Sequence, residues 1–253
     1  MKKFISKISI FILSFSSFLV LLFSGCASSP VGLAGYGSIA VIGVTGNKNL
    51  SEQVDNRYAR SDEEDIDDTS ALSVLVDKFL HGENPELLTG QDRVDYAEEY
   101  FRLALEDVAG LEVSEKEKAL ESEQYKNSYE SPLSFLDTWI SATGYSKNLY
   151  SISAKKARLM MGELGVKSLV SAEFRYNKLF DKESKLNANV RAQVIMDVIL
   201  YDSNGKKVVF NQYEATSSES LPVKKFDYDK DALVGMYPAV IETVINRFIT
   251  DCL

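Results

Sequence analysis

From Ala192 to Leu200 the chain alternates. Ala192, Val194, Met196, Val198 and Leu200 share one side of an extended backbone, and Asp202-Ser203-Asn204-Gly205 then turns the chain into a second stretch, Val208 to Ala215. A period of two is what a strand imposes on its side chains, and Asn-Gly takes the positive φ of a tight reversal at low steric cost. The pattern predicts a β-hairpin. Two strands alone do not hold together in water, so the hairpin demands a larger sheet and a cover for its apolar face.

Other segments supply both. Ser38 to Val44 (SIAVIGV) is a continuous apolar, β-branched run of the kind a strand buried on both faces requires. Thr45 to Asp68 is polar and ends in an acidic run from Asp62 to Asp68, which reads as a solvated loop. Leu72, Leu75, Val76, Phe79 and Leu80 mark one helix, stopped at His81-Gly82. Thr89-Gly90-Gln91-Asp92 resembles a capping box and opens a second helix, with Val94, Ala97, Phe101, Ala104, Leu105 and Val108 inward and an end at Gly110. A short strand at Leu111 to Val113 precedes another capping-box pattern at Ser114 to Glu117. Ser131-Pro132 predicts a helix start ahead of Leu133, Leu136 and Ile140. Ser153 begins a further helix ending at Gly165, directly before a strand with Val166, Val170, Ala172, Phe174 and Tyr176 on one face and Ser171, Glu173 and Arg175 on the other. Leu233 to Phe248 predicts a closing helix, in which Pro238 either kinks the axis or marks the true first turn.

This order predicts an α/β (α+β) class: a mixed sheet of about four to five strands covered by amphipathic helices, in a single domain over residues 38–253, with an acidic helical insertion at about 51–90.

The amino terminus sets the location. Lys2, Lys3 and Lys7 precede an apolar run from Ile8 to Phe23, and small residues follow. These are the three parts of a secretory signal over residues 1–25. Phe23-Ser24-Gly25-Cys26 resembles a bacterial lipobox, with Phe23 where leucine is usual. The resemblance implies cleavage before Cys26 and acylation of Cys26 on its sulfur and on the new amino terminus. One acyl chain binds membranes only marginally, whereas several anchor firmly. Residues 26–37 then read as a lipidated tether, in which the eleven residues from Ala27 to Gly37 span about 37 Å when extended. Ala27-Ser28 lacks the aspartate that resembles an inner-membrane retention signal, which points to the outer membrane of a bacterial envelope. Cys252 is left without a cysteine partner and reads either as an intermolecular thiol or as a small apolar residue on the last helical turn.

Three stretches, SIAVIGVTGN (38–47), GELGVKSLVSAEF (162–174) and VIMDVILYDSNGKKVVF (194–210), together with the amphipathic closing helix, resemble a family of envelope lipoproteins. It comprises the curli-type secretion-channel lipoproteins, the lipoprotein activators of penicillin-binding proteins and the amino-terminal domain of the Tol-system propeller protein. The resemblance implies their layered fold. This chain departs from it in having no spare pair of the 9- to 11-residue amphipathic strands that a channel barrel needs, in its short tether, and in its acidic insertion.

Composition and motifs narrow the chemistry. Loss of the signal removes three lysines and moves the formal net charge from -9 to -12, against a nucleic-acid partner. With one histidine, His81, and one remaining cysteine, neither a histidine-based triad nor a structural zinc site is expected. Gly43-Val44-Thr45-Gly46-Asn47-Lys48 lacks the spacing of a phosphate loop and reads as a strand exit. The acidic run lacks the glycine and glutamate of an EF-hand. No cofactor, metal or catalytic residue is expected. Tyr125, Tyr129, Trp139, Tyr145 and Tyr150 cluster in one segment, as either a partner surface or ordinary core. The expected function is that of a non-enzymatic, membrane-anchored assembly, scaffold or regulatory factor with an envelope-protein or self partner. A subunit of an oligomeric export assembly and an envelope hydrolase are the alternatives.

Overall fold

The computed structural model describes residues 33–55, 89–128, 138–146 and 149–252. Cys26, the acidic run, the expected helix of Leu72 to Leu80, His81 and Tyr129 lie outside them. A 3-10 turn, Leu33–Tyr36, precedes the first strand, and Leu33 is fully buried in the core. The folded body therefore begins inside the stretch expected to be tether.

The strands are β1 (Ser38–Asn47), β2 (Ser51–Val54), β3 (Glu112–Val113), β4 (Trp139–Ser141), β5 (Ser168–Phe180), β6 (Asn187–Tyr201), β7 (Lys207–Thr216) and β8 (Leu221–Lys224). The helices are α1 (Gly90–Leu103), α2 (Lys116–Glu121), α3 (Glu123–Lys126), α4 (Ala154–Leu164), α5 (Lys230–Gly235) and α6 (Tyr237–Cys252). All eight strands form one mixed sheet, with the path β3-β1-β5-β6-β7. The α/β class and the helical cover are as the sequence predicts; the strand number exceeds the four to five expected. The excess has a geometric cause. β5 and β6 pair antiparallel along twelve successive residues, and each outruns any single neighbour. β1 and then β2 run parallel to β5, while β7 and then β8 run antiparallel to β6.

β1 is longer than the apolar run that signals it. Gly43 to Asn47, expected as a strand exit, are strand. Gly46 lets β1 continue where a Cβ would lie 2.7 Å from the Tyr176 ring and 2.8 Å from Val94. The Asn47 amide then grips the β5 backbone, donating to the Tyr176 carbonyl (2.9 Å) and accepting from its N–H (2.6 Å). β4 pairs antiparallel with this end of β1, so Ile140, expected on a helix, lies on a strand. The expected helix start at Ser131-Pro132, with Leu133 and Leu136, lies outside the described residues; at Ile140 the ladder with buried β1 sets the conformation.

α1 carries the expected capping box: Thr89 N–H donates to Asp92 Oδ2 (2.8 Å) and Asp92 N–H to Thr89 Oγ1 (3.2 Å). Its continuation, Ala104–Val108, is a π-turn in which Ala109 N–H donates to the Ala104 carbonyl. The extra residue rotates Val108 outward, to 54% exposure, although the helical period places it inside. Ser114 does not cap α2, whose N-cap is Glu115. Its N–H is committed to the Ile39 carbonyl, which extends the sheet instead. α4 has its Ser153 cap and ends in left-handed Gly165 (φ 70°). In the β6–β7 hairpin only Gly205 takes positive φ (73°). The loop is a turn closed by Gly205 N–H to the Asp202 carbonyl (2.8 Å) plus a glycine bulge, and the Asp202 carboxylate accepts from Asn204 and Lys206 N–H. Pro238 sits in the first turn of α6, the second of its two expected roles.

Alternation divides the sheet into two faces. Val170, Ala172, Phe174 and Tyr176 of β5, with Met196 and Val198 of β6, lie under α1 and α6. Phe248 of α6 meets Phe101 (5.8 Å between ring centres) and Tyr213 (5.7 Å). Lys230–Cys252 is long and apolar enough to cross a membrane, but its stripe of Val240, Ile241, Val244, Ile245, Phe248 and Ile249 is core.

Candidate functional site

The opposite face carries the alternate residues. Cross-strand partners share a face, so the register assembles two rows. Ser141 (β4) pairs with Thr45 (β1), Thr45 with Glu173 (β5), Glu173 with Asp197 (β6) and Asp197 with Gln212 (β7). The row below holds Trp139, Arg175, Ile195 and Glu214. At the upper end the segment Leu149 to Ile152 lies over Gly43, where a Cβ would meet the Leu149 and Tyr150 backbone at 3.6 Å. Two bonds pin that segment: Ser171 Oγ donates to the Tyr150 carbonyl (2.7 Å), and Ile152 N–H donates to the Tyr201 hydroxyl (2.9 Å).

Asp197 is fully engaged. Arg175 donates to its Oδ2 and Gln212 Nε2 to its Oδ1, at 2.7 and 2.8 Å. Glu173, directly opposite, has no hydrogen-bond partner among the described residues. Burial, and next the Asp197 charge, push its carboxyl above the ordinary carboxylate value, with Arg175 opposing. Burial followed by the Glu173 and Asp197 charges likewise raises the Tyr150 phenol, again against Arg175. The pattern of unsatisfied groups is as telling as the charges. Thr45 is only 3% exposed and, among the described residues, its Oγ1 has no hydrogen-bond partner; buried Ser141 Oγ and Arg175 Nε lack one as well. Buried polar atoms are rarely left so in folded proteins.

The aromatic cluster expected between residues 125 and 150 is split by the fold. Trp139 and Tyr150 are half-buried on or beside the polar face. Tyr125 and Tyr145 are not surface residues at all. They pack edge to face at 6.4 Å, inside the core. The Tyr125 hydroxyl accepts from Ser146 N–H (2.5 Å), and the Tyr145 hydroxyl donates to Glu98 (3.1 Å) while Lys116 sits over its ring. For these two the core reading holds. Cys252 is buried with Sγ 3.9 Å from the Tyr213 hydroxyl, and burial raises its thiol, in keeping with a small apolar residue.

Sequence reading misses Thr45, Ser141, Glu173, Arg175 and Asp197 as a group. The local signal is present in VIMDVIL and SAEFR, where a charge interrupts each apolar alternation. Only the strand register brings these charges together. Among the described residues no group of three or more His, Cys, Asp or Glu side chains is arranged to hold a metal ion.

Comparison with protein-family models gives no match to the chain, and comparison with curated proteins gives none either.

Proposed function

We propose that the protein is a lipid-anchored factor of the bacterial outer membrane, held there through Cys26, that acts in assembly, scaffolding or regulation by binding another envelope protein rather than by catalysis. The observation that carries the reading is the edge strand β7. It spans ten residues and, among the described residues, pairs only with β6. On it Val208 and Phe210 are exposed, Phe210 to 69%. Exposed strand edges invite pairing, and folded proteins usually blunt long ones. A long edge with an exposed aromatic suits a partner that adds a strand, whose backbone supplies affinity and whose side chains meet Phe210. Among the described residues the opposite border is made of β3, β4 and β2, of two, three and four residues, none as long as β7.

Affinity capture from gently solubilised membranes should retrieve a reproducible partner with the native chain and lose it with Val208→Asp/Phe210→Asp, while both chains remain folded and membrane-bound. Recovery of the protein alone, as a monomer, counts against the reading. Cys26→Ser should release the chain from the membrane fraction, and the mature native protein should carry acyl mass on Cys26.

A further inference from the structure

We propose that the polar face of the sheet binds a primary ammonium group, cradled by the Glu173 carboxylate and the hydroxyls of Thr45 and Ser141. These three residues occupy consecutive strands in one register row, β5, β1 and β4. Adjacent strands lie about 4.8 Å apart, so oxygens from three neighbouring side chains can converge on one atom seated over the middle one. That middle residue is Thr45, whose buried Oγ1 has no hydrogen-bond partner among the described residues and can accept; Ser141 Oγ is in the same state on one side. On the other side Glu173 carries a charge that no described residue neutralises by contact. An ammonium offers three donors in tetrahedral array and one positive charge, which matches three acceptors and one carboxylate.

Other ligand chemistries fit less well. An anion meets Glu173 and Asp197 with a single guanidinium that Asp197 already holds at 2.7 Å. A neutral polyol leaves the Glu173 charge uncompensated. A divalent metal ion lacks carboxylates, because Asp197 is tied by Arg175 and Gln212 on both oxygens. The aromatic side chains point the same way. Trp139 stands two pairs along β1 from Ser141, on the same face, and the Tyr150 phenol is near enough to feel Glu173, Asp197 and Arg175. Aromatic faces attract cations, most strongly where water is excluded. The site does not rest on β7 recruiting a strand, and it can stand if that reading fails.

A primary ammonium has two sources: a free aliphatic amine, or a lysine side chain of another protein. Calorimetric titration of the full chain in detergent, with cadaverine and with Nα-acetyl-lysine methylamide, separates them. Saturable binding of cadaverine alone assigns the site to small amines, and binding of the lysine amide assigns it to a protein side chain. In both cases Nα-acetyl-norleucine methylamide, which has the same chain without the charge, should not bind. Glu173→Gln should weaken binding by roughly 10-fold or more, the loss of one charge-assisted hydrogen bond. Thr45→Val, shape-conserving, should weaken it by about 5-fold with the same circular dichroism spectrum. Absence of saturable binding by both amines, binding of the norleucine amide as tight as that of the lysine amide, or unchanged affinity in Glu173→Gln overturns the proposal.

Discussion

Two half-buried glutamates on the two sides of one sheet sit in opposite electrostatic company. On the helix-covered side, the β2–β5 register sets Glu52 opposite Lys178, whose Nζ lies 3.3 Å away, and Lys185 bonds the other carboxylate oxygen. On the polar side, the β5–β6 register sets Glu173 opposite Asp197. Burial raises both carboxyls, but at Glu52 the Lys185 hydrogen bond and the two lysine charges prevail and hold it below 4.5, whereas at Glu173 the like charge adds to burial. Opposite charges directly across a ladder stabilise it and like charges weaken it. One side is thus arranged for stability, and the other keeps an arrangement that stability alone does not favour. Such local disagreement with folding rules is where function is expected.

The strongest way to test that contrast is to damage each side in turn. Phe248→Ala empties the ring contacts with Phe101 and Tyr213 under α6 and should lower stability by about 3–5 kcal/mol in urea denaturation. Glu52→Gln should come next, at roughly 1–3 kcal/mol, because Lys178, 3% exposed, loses a charged partner in a place where water does not replace it. Should Glu52→Gln prove neutral, the two sides differ less than their registers indicate.

Reading the contrast from sequence succeeds only in part, and the reason is physical. Apolar alternation in Val170 to Tyr176 and Ala192 to Leu200 reveals which residues face the helices, since a period of two is local information. The hairpin and the capped helices are legible for the same reason. The short strands β2, β4 and β8 are not, because they exist by pairing with the overhanging ends of β5, β1 and β6, and pairing is a long-range event. The π-turn at Ala104–Val108 escapes as well, since its extra residue changes the phase of an otherwise regular helical stripe. The polar site depends entirely on register. Thr45 and Glu173 are separated by about half of the chain, and nothing near either one announces the other. Tyr125 and Tyr145 show the converse case: the sequence leaves them open between surface and core, and only the fold makes them core.

The smallest expected effect is also the sharpest in sign. Glu173→Gln removes a carboxylate whose folded-state pKa lies above its ordinary value, so the native protein binds that proton more tightly than the unfolded chain does. The stabilising contribution of the group is fully present below about pH 4.5, the ordinary glutamate value, and is lost as pH rises through the folded-state value. At pH 7 the substitution should therefore raise stability, by about 0.5 kcal/mol or less after solvent screening at this half-buried position. The difference between variant and native chain should shrink as pH falls. Glu52→Gln must show the reverse: the Glu52 contribution is present above 4.5 and disappears as pH falls through its depressed folded-state value, so its loss matters at pH 7 and fades in acid. Urea titrations of both variants at pH 7 and near pH 4 test the pair together. If the two variants move in the same direction at pH 7, the Glu173–Asp197 register does not carry the like-charge opposition that separates the polar side from the helix-covered one.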